Sequence, residues 1–437
     1  MKKRSTSSSN SFYSKSAKTS SVSSRMKTLS RNAQSAYKAE HKTPTVRSWV
    51  FFIFRKIYFI YIKIGLLSLK YILFIVFVNF VAALLLNIGN TDLYNVISMK
   101  YDVPLTKIYP ELRENEINQL LLETWAPNKL QYEPFLQFSE SPKQGKYVNV
   151  SLNGYRYSTN QSGWPPNKTH LNIFLFGGST TFGYGVPDDQ TIASFLQENL
   201  RKVYPNLNIS IYNFGRGYYF STQERILFQQ LLQDAYVPNI ALFIDGINDF
   251  YYTQNEPAFT SKFDDFFKEK HLQPRTFLDN QIRKSPLYEL FTTVLGNLFS
   301  SKGKITEKMD NYNNHILIER LVNRYLSNKN FIEEAAYQYG VKPVFIFQPV
   351  PTYKNKSMYY FQKGGFGNLN YVKFAYQYML DQKISNSLGT NFYWLVDIQE
   401  NLTEVLYVDK YHYSQFFSKK IAQEISNRLI EHNVITE

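Results

Sequence analysis

Residues 171–185, with the sequence LNIFLFGGSTTFGYG, constrain the fold of this chain more than any other stretch. Five of the first six residues are apolar, a pattern typical of a strand buried on both faces, as in a parallel sheet. The two glycines after this run permit a sharp turn. We therefore predict that Ser179 lies at the carboxyl end of a strand, where open α/β sheets bind their ligands.

A phosphate-binding glycine loop is the alternative interpretation of the same residues. A Walker loop ends in Gly-Lys-Ser/Thr, and a dinucleotide loop has three spaced glycines followed later by an acidic residue. Neither pattern follows this strand. By elimination, Ser179 is a candidate nucleophile.

A serine nucleophile requires a base and hydrogen-bond donors that hold the developing oxyanion. Among the six histidines, His412 stands in the segment YVDKYHYSQFF, three residues after Asp409. A carboxylate at this spacing can reach the imidazole within one loop and select its tautomer. A surface loop is the commoner interpretation of Asp-x-x-His taken alone. This motif, however, precedes the final amphipathic helix and therefore falls at a strand-to-helix junction.

Two further junctions supply candidate oxyanion donors. The segment IALFIDGINDF is an apolar run that ends in a turn containing Asn248, whose side-chain amide can donate to an oxyanion. The segment ISIYNFGRGYYFSTQE is a strand followed by a turn, where Gly215 or Gly217 can bring a backbone N–H close to a substrate. In the same segment, Ser221 and Glu224 have the spacing of a capping box. Each could be an ordinary turn residue, but the four junctions together indicate a site.

These four blocks resemble those of the SGNH hydrolases, also called the GDSL-type lipase and acylhydrolase superfamily. GGSTT resembles the nucleophile block, NFGRG the glycine block, GIND the Gly-x-Asn-Asp block and DKYH the Asp-x-x-His block. The resemblance extends from residue 171 to the C-terminus and is interrupted by a long insertion. Gly178 stands where the family usually has an aspartate.

The resemblance implies a role for each of these residues. Ser179 would be the nucleophile, His412 the base and Asp409 the carboxylate that orients the base. The oxyanion hole would be formed by the Ser179 N–H, the N–H of Gly215 or Gly217, and the Asn248 side chain. Which glycine faces the substrate stays open. No cofactor or metal is expected, and the absence of cysteine excludes a thiolate metal site.

The net charge of +14 comes entirely from the first 70 residues. Residues 1–48 hold eleven Lys and Arg against one acidic residue, and four more cations follow by residue 70. The rest of the chain is formally neutral, so we expect no nucleic-acid partner. Because residues 1–48 are rich in Ser, Thr and Lys and poor in apolar residues, we predict a disordered tail.

Residues 49–89 are predicted to bind and cross a membrane. Residues 71–88 contain no charge, which is enough length for most of a bilayer crossing. Lys56, Lys63 and Lys70 are seven residues apart and share one helical face, which suits an interfacial helix on anionic lipid headgroups. The alternatives are a core helix of a soluble protein and a cleaved signal peptide. The stretch is too long for the latter and lacks a convincing cleavage site.

The basic flank lies N-terminal to this apolar region, so the positive-inside rule places the tail in the cytosol. Everything after Gly89 would then lie outside the cytosol, periplasmic or extracellular, on a single-pass anchor. Residues 90–169 are predicted to be a stalk and lead-in hairpin. In this segment, residues 107–125 have helical spacing with Pro110 near the start, and residues 146–158 alternate around Asn153-Gly154.

From residue 170 onward, strand and helix patterns alternate. The predicted strands after the first are residues 208–214, 240–245, 341–351 and 392–398, and the predicted helices are 190–203, 221–235, 316–339 and 371–381, with a last helix capped by Ser414. This alternation predicts an α/β fold, a three-layer α/β/α sandwich with a central parallel sheet of the SGNH or flavodoxin-like kind. Residues 251–311 are a predicted insertion, either a helical cap near the site or a surface excursion.

The leading hypothesis is a membrane-anchored serine acyl-ester hydrolase, with acylated glycans or lipids as candidate substrates. The first alternative is an O-acyltransferase, in which a sugar hydroxyl of a cell-surface polysaccharide attacks the same acyl-enzyme instead of water. The second is an inactive tethered carbohydrate-binding domain, against which the intact set Ser179, Asn248, Asp409 and His412 argues.

Overall fold

The computed structural model describes most of the chain. The described residues are 32, 46–89, 101, 104–125, 130–262, 282, 285–288, 290–291, 311–356 and 366–436. Nearly all of the predicted tail and most of the predicted insertion therefore lie outside the described residues. The chain divides into two compact units, Met1–Leu84 and Leu85–Glu437.

Most of the described residues of the first unit belong to one long helix, α1 (Val46–Gly89), of 44 residues, whose last five residues belong to the second unit. The segment Val46–Leu84 is long and apolar enough to cross a membrane, and almost all its side chains are exposed. The predicted interfacial and membrane-crossing segments thus form one continuous helix. At 1.5 Å per residue it is about 66 Å long, about twice the hydrocarbon thickness of a bilayer, so only part of it can span one.

The second unit is built on a sheet of five parallel strands, as the sequence predicted. The strands are β3 (Leu171–Gly177), β4 (Ile209–Asn213), β5 (Ile240–Asp245), β6 (Lys342–Phe347) and β7 (Phe392–Trp394). Their order is β4-β3-β5-β6-β7. The chain leaves β3 toward one side for β4 and then returns to the other side for β5. The carboxyl end of β3 is therefore the topological switch point, where open α/β sheets form their binding crevice.

Two layers of helices cover the sheet. The lead-in segment contributes α2 (Leu105–Ile108) and α3 (Glu114–Trp125). The helices that follow are α4 (Ser179–Phe182), α5 (Ile192–Val203), α6 (Ser221–Gln233), α7 (Ile247–Tyr251), α8 (His315–Gln338), α9 (Leu369–Ile384) and α10 (Gln415–Glu431). Alternate strand residues face opposite layers. Ile173 and Leu175 pack with α5 and α10, whereas Phe174 and Phe176 pack with α6 and α8. This arrangement confirms the predicted three-layer α/β/α fold.

The described residues of the lead-in segment include several that pack into the core of the second unit. Ile117, Leu120 and Val148 are buried in the same hydrophobic cluster as the first strand of the sheet. β1 (Leu130–Glu133) and β2 (Gln137–Glu140) form an antiparallel hairpin that the sequence analysis did not predict. The lead-in segment packs here because the apolar face of α3 must be buried, and the hydrophobic cluster beside the sheet buries it.

Two local predictions in the lead-in segment need adjustment. The predicted helix over residues 107–125 is two helices, α2 and α3, with Pro110 in the turn between them. The predicted hairpin at 146–158 exists only as isolated bridges, with Val150 opposite Arg156. Its turn is closed by the Ser151 N–H, which donates to the Tyr155 carbonyl at 2.8 Å.

Candidate active site

Ser179 is the first residue of α4, directly after the turn that ends β3. The turn needs glycine at both preceding positions. Gly177 has φ of 152°, and a Cβ at Gly178 would lie 2.5 Å from the Asn248 amide nitrogen. A side chain at 178 would therefore displace Asn248.

The structure brings Ser179, His412 and Asp409 into one line of hydrogen bonds. His412 Nε2 lies 2.8 Å from Ser179 Oγ, and His412 Nδ1 lies 2.8 Å from Asp409 Oδ2 and 2.9 Å from Oδ1. The bond to Asp409 assigns the proton of the neutral imidazole to Nδ1, which leaves Nε2 as the acceptor for the serine hydroxyl. This is the arrangement that a Ser-His-Asp triad requires.

Asp409 is held as a carboxylate by the loop in which it lies. Its Oδ1 also accepts the backbone N–H groups of Tyr411 at 2.8 Å and His412 at 2.9 Å. Burial raises the pKa of Asp409, but the electrostatic interaction with His412 and these hydrogen bonds outweigh burial, so the pKa lies below its usual range. The carboxylate thus stays ionised beside the imidazole.

Aromatic rings surround the imidazole. The ring centroid of His412 lies 5.3 Å from that of Tyr184 and 5.6 Å from that of Trp125. Trp125 is the last residue of α3, and its Nε1 donates to the Tyr101 hydroxyl at 2.8 Å. Sequence reasoning missed Trp125 because no local pattern links a tryptophan at a helix end to a histidine far along the chain.

Ser179, Asn248 and His412 open onto a cavity of about 550 Å³. Six aromatic side chains form much of its wall: Trp125, Tyr184, Tyr218, Tyr251, Tyr252 and Tyr411. Among the described residues, no group of three or more His, Asp and Glu side chains is arranged to hold a metal ion.

Asn248 lies in the cavity wall, but the two predicted glycines do not. The Asn248 Nδ2 donates one hydrogen to the Tyr219 carbonyl at 2.7 Å, which leaves its second hydrogen for another acceptor. The Gly215 N–H donates to Asn213 Oδ1 at 3.0 Å, and the Gly217 N–H to Glu140 Oε1 at 2.6 Å. The structure therefore does not bring either glycine N–H to the cavity.

Tyr218, which directly follows the glycine block, lines the cavity. Its φ of 68° is the left-handed conformation that glycine usually supplies and that tyrosine rarely adopts. Nothing in the sequence marks a tyrosine for this conformation, so the position could not be predicted.

Hydrogen bonds from Ser221 and Arg324 hold the segment that carries Asn248. Ser221 Oγ donates to Asp249 Oδ1 at 2.6 Å. The Arg324 guanidinium donates to the carbonyls of Asp249 and Tyr252. The predicted capping box is wrong, because Phe220 is the N-cap of α6 and the Ser221 hydroxyl is bonded to Asp249.

Glu224 is the other residue of the predicted capping box, and it is buried beside Asp245. Burial raises the pKa of Glu224 and of Asp245, and a neighbouring carboxylate raises each further. Apart from Glu224, no described residue donates a hydrogen bond to either oxygen of Asp245, so a proton held between the two carboxyl groups relieves the repulsion between them.

No protein-family model matches the chain, and no curated protein matches it. Solved structures similar to it include a G-D-S-L family protein from Desulfitobacterium hafniense DCB-2, at 14% identity and a TM-score of 0.32, over 60% of this chain and 100% of that one. The esterase EstA from Pseudoalteromonas sp. is similar at 11% identity and a TM-score of 0.33, over 60% and 98%. An acetylxylan esterase from Geobacillus stearothermophilus is similar at 13% identity and a TM-score of 0.33, over 61% and 95%. Similarities at this level do not assign an activity to this chain.

Proposed function

We propose that this chain is a membrane-anchored serine acyl-ester hydrolase of the SGNH type, acting outside the cytosol. The observation that carries the proposal is the line of hydrogen bonds from Asp409 through His412 to Ser179, which ends in an aromatic-walled cavity. Ser179 has His412 as a base within hydrogen-bond distance, and His412 has Asp409 to orient it. A serine hydroxyl without a base is a poor nucleophile.

In the first half of the reaction, Ser179 Oγ attacks the ester carbonyl carbon while its proton passes to His412 Nε2. The electron pair of the carbonyl moves to oxygen, and the developing anion is stabilised by the second amide hydrogen of Asn248 and the Ser179 N–H. When the carbonyl re-forms, the bond to the alcohol breaks, and His412 gives its proton to the departing oxygen. The product is an acyl-serine and a free alcohol.

In the second half, a water molecule takes the place of the alcohol. His412 removes its proton, the water oxygen bonds to the acyl carbon, and the same donors hold the oxyanion. Collapse breaks the bond to Ser179 Oγ, which recovers its proton from His412. Asp409 stays a carboxylate throughout and stabilises the imidazolium that forms twice in the cycle.

The cavity wall suits an acyl ester of a glycan or lipid. Tyr251 and Tyr411 place their rings edge to face at 5.9 Å, and Tyr252 adjoins Tyr251 at 5.1 Å. Aromatic faces contact the apolar face of a sugar ring or an acyl chain without needing to desolvate a charge.

The anchor is α1. Its charge-free part beyond Lys70 would span the bilayer, and the lysines at 56, 63 and 70 would face anionic headgroups on the cytosolic side. In this proposal residues 1–48 are a cytosolic tail, 49–89 the anchor and 170–437 the catalytic region, with which described lead-in residues pack.

A fluorophosphonate, which phosphonylates activated serines, tests the proposal on the full-length protein in detergent micelles. We expect the wild type to be labelled and Ser179→Ala to lose the label. Ser162→Ala is a matched control, because Ser162 Oγ also contacts a histidine, His170 Nδ1, at 2.9 Å but lies outside the cavity. An unlabelled, folded wild type would refute the enzyme assignment.

A further inference from the structure

The Glu140 carboxylate contacts two walls of the cavity although it belongs to the β1–β2 hairpin of the lead-in segment. It is the last residue of β2 and is buried. Its Oε1 accepts a hydrogen bond from the Tyr184 hydroxyl at 2.8 Å and another from the Gly217 N–H at 2.6 Å. A charged acceptor makes both bonds stronger than neutral ones.

The first wall is Tyr184. This tyrosine is buried, lines the cavity, and packs its ring against the imidazole of His412 at 5.3 Å between ring centroids. Burial raises the pKa of Tyr184, and the charge of Glu140 raises it further, so the hydroxyl remains a donor to the carboxylate. Glu140 thereby fixes the ring that confines the proposed base.

The second wall is the turn of the glycine block. Gly217 immediately precedes Tyr218, which lines the cavity in its left-handed conformation. A Cβ at Gly217 would lie 2.3 Å from the Tyr184 hydroxyl and 3.0 Å from Glu140 Oε1. The turn therefore lies in close contact with Tyr184 and Glu140, and only a glycine at 217 leaves room for this contact.

The same turn also holds Asn248. The Tyr219 carbonyl accepts from the Asn248 amide at 2.7 Å, and the Tyr219 hydroxyl donates to the carbonyl of Phe138, two residues before Glu140. The β2 strand is thus bonded to the turn at two residues, Gly217 and Tyr219, and the turn is bonded to the predicted oxyanion donor. A shift of this turn would move Asn248 relative to Ser179.

From these contacts we infer that Glu140 is a positioning residue, which fixes the turn from Gly215 to Tyr219 and the Tyr184 ring on either side of the reacting ester. The inference rests on the proposed hydrolase function. Glu140 itself touches neither Ser179 nor His412 through a hydrogen bond, so its effect must pass through Gly217 and Tyr184. A displacement of about 1 Å in such a site can cost about 10² in rate.

The test uses full-length protein in detergent, p-nitrophenyl acetate as substrate and a fluorophosphonate to count active sites. For Glu140→Ala we expect kcat per titrated site to fall about 10²-fold, with KM changed less than about 3-fold. The rate of fluorophosphonate labelling should fall in parallel. Glu140→Gln should restore most of the loss, because an amide oxygen can accept both hydrogen bonds.

Glu133→Gln is the matched control. Glu133 is in the neighbouring strand of the same hairpin, and its carboxylate accepts from Ser139 Oγ at 2.8 Å without lining the cavity. We expect this variant to match the wild type. A merely structural role for Glu140 would lower the melting temperature and the number of titratable sites but leave kcat per site unchanged, and that result would overturn the inference.

If Glu140→Ala fails to fold, Glu140→Asp replaces it, because the shorter side chain cannot reach both donors. A fall in kcat per site supports the positioning role, and an unchanged kcat per site refutes it. A wild type that neither labels nor turns over ester would refute the proposed function instead. An active wild type with unaffected Glu140 variants would leave that function standing and remove this inference alone.

Discussion

His412 Nε2 lies 2.8 Å from Ser179 Oγ, although 233 residues separate the two along the chain. Ser179 follows β3, and His412 precedes α10. Both positions lie at junctions that lead into helices, on the edge of the sheet where the parallel strands end. The contact explains why a motif near the C-terminus and a turn in the middle of the chain can act as one site.

The first prediction is that Ser179 and His412 act as a unit. We expect Ser179→Ala and His412→Ala each to lower ester turnover on the order of 10⁴-fold or more, because either change ends proton transfer to Nε2. The double variant should be hardly worse than either single one. Steady-state rates on an activated ester measure this, and additive losses would show that the two residues do not cooperate.

The second prediction concerns Asn248. Asn248→Ala should lower kcat on the order of 10²–10³-fold, the usual effect of removing one oxyanion donor. The variant also loses the bond to the Tyr219 carbonyl. Asn248→Asp therefore serves as a companion of similar shape, which places a negative charge where the oxyanion forms and should be at least as slow. Unchanged kcat in both variants would remove Asn248 from the oxyanion hole.

The third prediction follows from the buried pair Glu224 and Asp245. Burial raises the pKa of both carboxyls; the charge of Asp245 raises the pKa of Glu224 further, and the charge of Asp249 raises that of Asp245. A raised carboxyl pKa means that the native state binds the proton more tightly than the unfolded state. The contribution of this pair to stability is therefore greatest at acidic pH, and it declines as pH rises above the ordinary carboxyl pKa of about 4.

Asp245→Asn removes one buried charge and supplies an amide that can donate to Glu224. We expect the melting temperature at pH 8 to rise by about 2–4 °C, for about 1 kcal/mol, with a smaller gain at pH 5. Thermal unfolding followed by circular dichroism across this range measures the effect. Asp189→Asn, at an exposed position, should change nothing. A melting temperature that falls equally at both pH values would contradict the prediction.

The fourth prediction separates hydrolysis from acyl transfer, since the O-acyltransferase alternative uses the same triad. A hydrolase must admit water to the acyl-enzyme, whereas a transferase must hold an acceptor hydroxyl there and keep water scarce. We expect many turnovers of a small activated ester in buffer without any sugar. A burst of one equivalent that resumes only when a glycan acceptor is added would favour the transferase.

The fifth prediction concerns topology. A reporter that is active only outside the cytosol should give a signal when fused after Gly89 and none when fused before Trp49. The reason is the concentration of Lys and Arg N-terminal to the charge-free part of α1. The reverse pattern would overturn the proposed orientation and, with it, the extracytoplasmic location of the catalytic unit.

The sequence by itself determined the features that depend on a few consecutive residues. The apolar run before Gly177 predicted β3, and the glycine pair predicted the turn that presents Ser179, because both follow from local burial and backbone freedom. The three-residue spacing of Asp409 and His412 predicted their hydrogen bond, because a carboxylate at that spacing can reach the imidazole within one loop. The alternation of strands and helices was likewise sufficient for the layer architecture.

Only the tertiary structure decided how distant segments meet. It placed Trp125 of the lead-in segment in the cavity wall and bonded Glu140 to Tyr184 and Gly217. It also turned the N–H groups of Gly215 and Gly217 toward other acceptors and put Tyr218 in the wall. Such contacts depend on the packing of whole helices and strands against one another, and no pattern within one segment encodes the partner that it meets in another.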